Sequence, residues 1–257
     1  MHHDDRLITQ IAAYWNHSIH DLEMTEQPVG SLGFFDDLDE YRFDKLRYLP
    51  QVVDFAGYRG QQLLEVGCGI GTDLLRFAKG GAYVTGIDLS VQAIELAQAN
   101  FSLHEAPRNR LQVQNGEALS FEDDTFDVVY AHGVLQYTAD PQRMISECCR
   151  VLKPGGHAIF MVYNRFSWLQ ALSKVMGVGL EHADAPILRL FSIRQFRRML
   201  NSFPEATIVP ERFPVRSRLH KGWKGLLYNE IFVKAFTVVP HVIVRPLGWH
   251  LMAFCRK

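Results

Sequence analysis

Long apolar runs are missing from this chain of 257 residues. The longest candidate, Ile231 to Phe254, is broken by Lys234, Pro240, His241, Arg245 and Pro246, which argues against a membrane-spanning helix. The opening Met1-His2-His3-Asp4-Asp5 has no basic stretch leading into an apolar one, so no secretory leader is expected and the cytoplasm is the expected compartment. Cysteine is scarce. Cys68, Cys148, Cys149 and Cys255 show no C-x-x-C pairing, which offers neither a zinc site nor a disulfide framework; reduced thiols and no metal are expected. Low-complexity tracts and internal repeats are absent. The length and a hydrophobic content of 47% suit one sizeable domain with insertions, or one domain plus a lid.

Net charge is also nearly absent, at −1, but it is unevenly spread. From Leu188 onward thirteen Lys and Arg stand against three Asp and Glu, so the earlier part is acidic. The simpler reading is a basic surface complementing an acidic one within a single fold. The sharper one is a dock for an anionic substrate, a membrane surface or nucleic acid.

What is present is a glycine turn followed by an acidic strand end. Leu63-Leu64 reads as a buried strand running into Glu65-Val66-Gly67-Cys68-Gly69-Ile70-Gly71. Thr72-Asp73 is placed to cap a helix through Leu74, Leu75, Phe77 and Ala78. Gly86-Ile87-Asp88-Leu89-Ser90 follows about twenty residues later. Glycines let the backbone pass close to a ligand, and free N–H groups at a helix start can hold an anion. Asp88, at a strand tip, is placed to accept hydrogen bonds from ribose hydroxyls. Together these describe a pocket for an adenosine-containing cofactor.

Further absences narrow the cofactor. The dinucleotide spacing G-x-G-x-x-G needs glycine at position 72, which is Thr72. A Walker loop needs Lys-Ser/Thr after its last glycine, and Gly71 is followed by Thr72-Asp73. No Lys or Arg follows the turn until Arg76, which argues against a polyphosphate. S-adenosylmethionine (SAM) carries one carboxylate, balanced by an amino group and a sulfonium, and suits a loop without cations. Glu65 is available to its ammonium, directly or through water.

Four segments in order carry a resemblance. They are Leu64 to Gly71, Gly86 to Ser90, Asn115-Gly116-Glu117-Ala118 continuing to Phe126-Asp127-Val128-Val129, and Arg150-Val151-Leu152-Lys153-Pro154-Gly155-Gly156. Over roughly residues 60–165 the chain resembles the class I SAM-dependent methyltransferases, in the small-molecule branch that contains the ubiquinone and menaquinone methyltransferases. The resemblance implies SAM as cofactor and S-adenosylhomocysteine (SAH) as product. It implies cofactor contacts from Glu65, Gly67, Cys68, Gly69, Gly71, Asp88, Leu89, Glu117, Ala118 and His132. In such proteins the residue aligned with Asp88 binds the ribose, that aligned with Leu89 packs on adenine, and that aligned with Glu117 contacts the adenine amine. The family more often has Asp at this last position, so Glu117 is a departure.

The strand–helix alternation from Gln61 to Tyr163 demands a parallel sheet covered on both faces. Strands are expected at Leu63–Val66, Tyr83–Asp88, Leu111–Asn115, Phe126–Ala131 and Ala158–Tyr163, with helices at Thr72–Lys79, Val91–Asn100 and Pro141–Leu152. By analogy with the family, Ala206–Glu211 and Trp249–Arg256 add a sixth strand and an antiparallel seventh. The expected fold is a Rossmann-like, doubly wound seven-stranded α/β sheet. The expected organisation is a helical, aromatic cap over 1–60, a SAM-binding core over 61–164, an inserted helical lid over 165–205 and a completing unit over 206–257. Helices are expected around Trp168–Met176 and Ser192–Phe203 in the insertion.

Methyl transfer from a sulfonium is an in-line displacement, so the protein's task is alignment and exclusion of water. A hydroxyl acceptor also benefits from a base. His132, directly after the fourth strand, is the candidate, since its ordinary pKa lies near neutrality; a loop-shaping role is the alternative. Tyr137 is a second catalytic candidate, with simple packing the plainer reading. Tyr163 and Asn164 end the fifth strand where an acceptor would lie, although Asn164 also suits a helix cap. Tyr14, Trp15, Phe34, Phe35 and Tyr41 are candidates for an aromatic cover over the sulfonium or a flat substrate, with ordinary packing of an N-terminal helix pair an equally good reading. Glu181-His182 reads as a solvated loop rather than an acid–base pair. The run Arg216 to Lys224 and the amphipathic stretch Leu226–Val239 suit either a packed cationic surface or loose attachment to anionic lipid.

The leading expectation is therefore an enzyme that methylates a small organic acceptor, with oxygen favoured by family frequency. The alternatives are an RNA methyltransferase, a non-catalytic SAM-binding protein, and transfer or cyclisation of the aminocarboxypropyl arm. No stable nucleic-acid partner is expected, because no N-P-P-Y-type motif follows the fourth strand and no RNA-binding module is recognisable. The acceptor itself and the oligomeric state are not written in the motifs.

Overall fold

The computed structural model describes residues 3–18, 21–106, 109–176, 180, 182–214, 230, 233–240 and 244–257. Seven strands form one sheet in the order β3-β2-β1-β4-β5-β7-β6. They are β1 (Gln62–Val66), β2 (Tyr83–Asp88), β3 (Asn109–Val113), β4 (Phe126–His132), β5 (Leu152–Tyr163), β6 (Glu205–Glu211) and β7 (His250–Arg256). The first five pair in parallel, and β7 runs antiparallel between β5 and β6. The fold is the Rossmann-like sheet with a reversed last strand that the sequence led us to expect.

The central strands read as apolar runs because both of their faces are covered. Alternation along each strand divides the interior in two. Leu64, Val66, Val129, Ala131, Phe160 and Leu251 face a core shared with α6 (Pro141–Val151) and α8 (Ile193–Met199). Leu63, Val128, Tyr130, Ile159, Met161 and Met252 face the other, against α4 (Thr72–Lys79) and α5 (Val91–Leu103). Around this frame lie α1 (His3–His17), α2 (Leu32–Lys45) and α3 (Leu49–Val52) before the sheet, α7 (Trp168–Met176) in the insertion, and α9 (Val233–Val238) late in the chain.

Boundaries differ from expectation where burial does not set them. Strand β3 starts and ends two residues earlier than its apolar residues suggest. It lies at the sheet edge, and its limits follow pairing with β2, from Val84↔Asn109 to Asp88↔Val113. Strand β5 begins at Leu152 rather than Ala158. Phe126 pairs with Leu152 and Val128 with His157, so the Pro154-Gly155-Gly156 turn sits as an irregularity inside an extended strand. Gly155 supplies its left-handed residue, at φ 78°. Helix α5 runs three residues past Asn100, ending where His104 closes it. Helix α8 is shorter than Ser192–Phe203: Ser192 and Gln195 form a capping box, and the chain leaves the helix at Leu200.

The start of α4 also departs from expectation. Its cap is Gly71, at φ 80°, with no side-chain hydrogen bond. Thr72-Asp73 does not cap the helix, because the Asp73 carboxylate is turned to a different partner. Arg42 of α2 holds it through Nε at 2.6 Å and Nη2 at 2.5 Å, and the Tyr130 hydroxyl donates to it at 2.9 Å.

Candidate active site

The strand order reverses between β1 and β4, and a cavity of about 250 Å³ opens beyond the carboxyl ends of these strands. One end is built by the glycine turn. Gly67 has φ 71°, and a Cβ there would lie 2.3 Å from Val134. Gly69 has φ 52° with open space on its Cβ side, so the backbone itself forms the wall. The N–H groups of Gly67 and Cys68 donate to the Ile87 carbonyl, and that of Gly69 donates to Asp88 Oδ2 at 2.9 Å. These three amides are engaged within the protein. They precede the helix, whose own first N–H groups are the ones expected to hold an anion.

Acidic groups dominate this end. Asp88 accepts from Gly69 and Ser90 N–H groups and lies on the cavity wall beside Leu89. Burial raises its pKa, while the backbone N–H groups of Ser90, Gly69 and Leu89 pull it down. Glu117 accepts from the Thr138 hydroxyl and from Ala139 N–H at 2.7 Å. Glu65, buried at 4% exposure, has Oε2 without any hydrogen-bond partner. Burial, then the nearby Asp73, pushes its carboxyl well up, against the opposing pull of Arg42. A buried carboxylate oxygen left orphaned on a cavity wall is costly unless a ligand donor meets it. The residues therefore fit SAM: the orphaned Glu65 oxygen and Asp88 stand on one wall with the glycine turn.

Cations and imidazoles line another part of the wall. Arg42 and Lys45 reach it from α2, Arg212 from the residue after β6, and His132 and His250 from β4 and β7. Arg42 Nη2 lies 3.3 Å from His132 Nδ1, and Arg212 Nη1 lies 3.1 Å from His250 Nε2. The inner nitrogens of both rings face the hydroxyl of Tyr48, His132 Nε2 at 3.1 Å and His250 Nδ1 at 2.6 Å. Burial first, then Arg42, brings the His132 pKa down to about 3. Burial, then Arg212, holds that of His250 well below the ordinary value. His132 is thus on the wall as expected, but as a neutral imidazole with both nitrogens engaged. A lowered pKa and two engaged nitrogens make it a weaker base than a free imidazole.

Of the other expected residues, Glu65, Gly67, Cys68, Gly69, Asp88, Leu89, Glu117, Trp15, Tyr137 and Tyr163 line the cavity with His132. Ala118 and Gly71 are not among its lining residues. Phe34 and Phe35 are buried with Leu38 in a separate cluster that joins α2 to Ile70, Leu96 and Ala99; they are core, not cover. Tyr41 lies off the cavity, with Lys45 Nζ 5.4 Å from its ring centre. Asn164 is structural: its Nδ2 donates to the Pro246 and Gly248 carbonyls, and its Oδ1 accepts from Phe166 N–H. Tyr14 is also off the cavity, bound to His182 and Asp184, each at 3.0 Å. Glu181 and the run 216–224 lie outside the described residues, as do 226–229 and 231–232.

Sequence reasoning missed Arg42, Lys45, Tyr48, Arg212 and His250. For two of them a signal existed. A reversed last strand places its first residue beside the last residues of its parallel neighbours, and His250 pairs with both Tyr163 and Glu211. Arg212 follows Glu211 at that same edge. Residues from α2 had no such signal, since nothing in the heptad of a cap helix states which strand end it crosses.

A family model described as a methyltransferase domain matches residues 64–160. A ubiquinone biosynthesis O-methyltransferase from Alkalilimnicola ehrlichii is 31% identical over 214 residues, covering 79% of this chain and 77% of that protein. A protein of the same description from Coxiella burnetii is 36% identical over 121 residues, 47% of this chain; the match spans about half of that relative, 50% of its length. Magnesium protoporphyrin IX methyltransferase from Synechocystis, solved with SAH bound, superposes with a TM-score of 0.60 at 15% identity, over 97% of this chain and 99% of that one. At that identity the likeness concerns the fold. With a relative above 30% identity over most of its length, and with the turn and acidic strand ends arranged as described, the chain belongs to the class I SAM-dependent methyltransferases, in the branch of the ubiquinone O-methyltransferases.

Proposed function

We propose that this chain transfers the methyl group of SAM to an oxygen of a small aromatic acceptor. The observation that carries the reading is the orphaned, buried Glu65 Oε2 at the end of β1, on one wall with Asp88 and the glycine turn. When bound, SAM supplies a methyl already activated by a sulfonium; the new bond is acceptor oxygen to carbon, the C–S electron pair returns to sulfur, and the acceptor proton is released. Binding and orientation are the work of the chain. Tyr137, Tyr163 and Met161 give the cavity an aromatic, apolar wall suited to a ring, and Trp15 of α1 meets Tyr137 edge to face with ring centres 5.1 Å apart. The preference for oxygen rests on the relatives' description.

The segments 1–60 and 165–205 act as lid elements in this reading. Tyr14 of α1 reaches His182 and Asp184 of the insertion, and Trp15 stacks at a tilt on His182, with ring centres 4.8 Å apart. Contact of the basic late segment with an anionic membrane is a separate expectation that the described residues do not reach.

The test is incubation of the full chain with SAM and a library of small phenols, followed by mass spectrometry. A product 14 mass units heavier, formed in step with SAH, is expected; the increment is that of CH2. Methylthioadenosine as product would assign the chemistry to the aminocarboxypropyl arm. Methylation of RNA alone would move the acceptor class.

A further inference from the structure

The insertion returns to the sheet just before it enters α8. Phe191 N–H donates to the Tyr163 carbonyl and Arg165 N–H to the Phe191 carbonyl, both at 2.9 Å, so this segment runs parallel beside the end of β5. Arg165 also holds the Leu190 carbonyl through Nε at 3.2 Å and Nη2 at 2.9 Å. Two residues before Phe191, the Arg189 N–H donates to the Gln136 carbonyl at 2.9 Å, in the loop that follows β4. The backbone around Arg189 is thus strapped to the ends of two strands.

The Arg189 side chain meets that same loop. Its Nη1 donates to the Thr138 carbonyl, and its Nη2 donates to the Ala139 carbonyl at 2.9 Å. From the loop, the Thr138 hydroxyl and the Ala139 N–H both donate to Glu117 Oε1, the amide at 2.7 Å. The Thr138 carbonyl and the Ala139 N–H belong to one peptide group. A guanidinium on the oxygen of that group polarises it and strengthens its N–H as a donor. Arg189 and Glu117 therefore sit at opposite poles of one peptide dipole. Burial lowers the Arg189 pKa, opposed by the charges of Glu117 and Asp140. The guanidinium nonetheless gives its hydrogen bonds to neutral carbonyls rather than to either carboxylate.

The consequence falls on the other carboxylate oxygen. Both loop donors take Oε1, and among the described residues nothing donates to Oε2. Glu117 is 5% exposed and lines the cavity, so Oε2 is the oxygen left for a ligand. A carboxylate on a rotatable side chain presents one chosen oxygen only when the other is held. We propose that Arg189 is a positioning residue: it sets the Thr138-Ala139 peptide that fixes Glu117, and so governs recognition of the cofactor's base. Arg189 lies beyond residues 64–160, the extent of the family match, so the insertion contributes to cofactor selectivity from outside the matched core. This rests on the methyltransferase reading above, in which the resemblance gives Glu117 the adenine amine.

SAH and S-inosylhomocysteine, which replaces the purine amine by a carbonyl, are the probes. Each is titrated calorimetrically into the full chain. Wild type is expected to prefer SAH by at least about tenfold, an ordinary margin for a hydrogen bond to a charged group. Arg189→Gln should cut that preference to about threefold or less, weakening SAH far more than the inosine analogue. Arg189→Lys keeps the charge but gives up the two-pronged contact; its preference should stand between, and it serves equally where Arg189→Gln fails to fold. A merely structural role would weaken both ligands alike and leave their ratio unchanged. An unreduced preference in either variant therefore overturns the positioning role. So does a wild type without preference, since Glu117 would then not meet the amine. Failure of SAH itself to bind wild type is a different result: it removes the methyltransferase reading and the positioning role with it.

Discussion

The Asp73 carboxylate, 1% exposed, is held by Arg42 and Tyr130 at the junction of the cap and the core. Burial alone would raise its pKa, but the charge and hydrogen bonds of Arg42 outweigh it and the net shift is downward. Removing one partner of such a pair leaves the other charge uncompensated. Asp73→Asn is expected to destabilise the fold by about 3 kcal/mol or more, a fall in Tm on the order of 10 °C by circular dichroism. An unchanged melting temperature would mean that the pair adds nothing to stability. For His132 the expectation concerns rate. A general base typically contributes about a hundredfold or more. Because Arg42 and Tyr48 engage both ring nitrogens and its pKa is lowered, His132→Gln should keep turnover within about tenfold at saturating SAM. A larger loss with SAM affinity intact would return the base role to His132. At this scale the glycine and acidic lining of the cavity was legible, because Gly67, Asp88 and Glu65 sit in one contiguous turn and at adjacent strand ends. The cationic wall was not, since its members come from four separate elements.

Elements were legible in proportion to how fully they are buried. Strands β1, β2 and β4, covered on both faces or bounded by the glycine turn, lie within a residue of expectation at each end. Edge strand β3 and the irregular start of β5 do not, because pairing rather than burial defines them. Helix α2 illustrates the same limit. Its Phe34 and Phe35 read as ligand aromatics from sequence, whereas the side turned to the cavity carries Arg42 and Lys45. Helix α1 meets the rest through few groups: Asn16 accepts from the Ser90 hydroxyl at 2.8 Å, Trp15 meets Tyr137, and Tyr14 reaches the insertion. So thin an attachment opens more readily than the sheet. A ligand that fills the cavity beneath Trp15 should favour the docked state. Tryptic cleavage after Arg6 is therefore expected to slow when SAH is added, and Tyr14→Phe should cleave faster than wild type in both conditions. Equal cleavage with and without SAH would separate α1 from cofactor binding.

Taken as a whole, the molecule buries ionisable groups of both kinds at one end of its strands, and its stability must therefore depend on pH in a way the surface charge does not set. Two kinds of shift oppose each other. His132 and His250 have pKa values below the ordinary 6.5 or so, so the folded chain refuses protons that the unfolded chain binds. Their effect is nil above about pH 6.5 and destabilises the fold progressively as pH falls toward about 3. Asp73 acts in the same direction lower down: its stabilisation is present above the ordinary carboxylate pKa and is lost as pH falls through its lowered value. Glu65 and Asp88 are shifted upward, so the folded chain holds protons the unfolded chain releases, and these two favour folding as pH falls through their raised values. The total slope mixes both, but a variant isolates the histidine part. His132→Gln removes a group that takes up about one proton on unfolding between roughly pH 6 and 4. Urea midpoints measured across that range should fall less steeply for the variant than for wild type, with the two curves parallel above pH 7. Parallel curves through the acidic range would mean that His132 titrates normally in the folded protein. Burial and the arginines would then not hold it neutral.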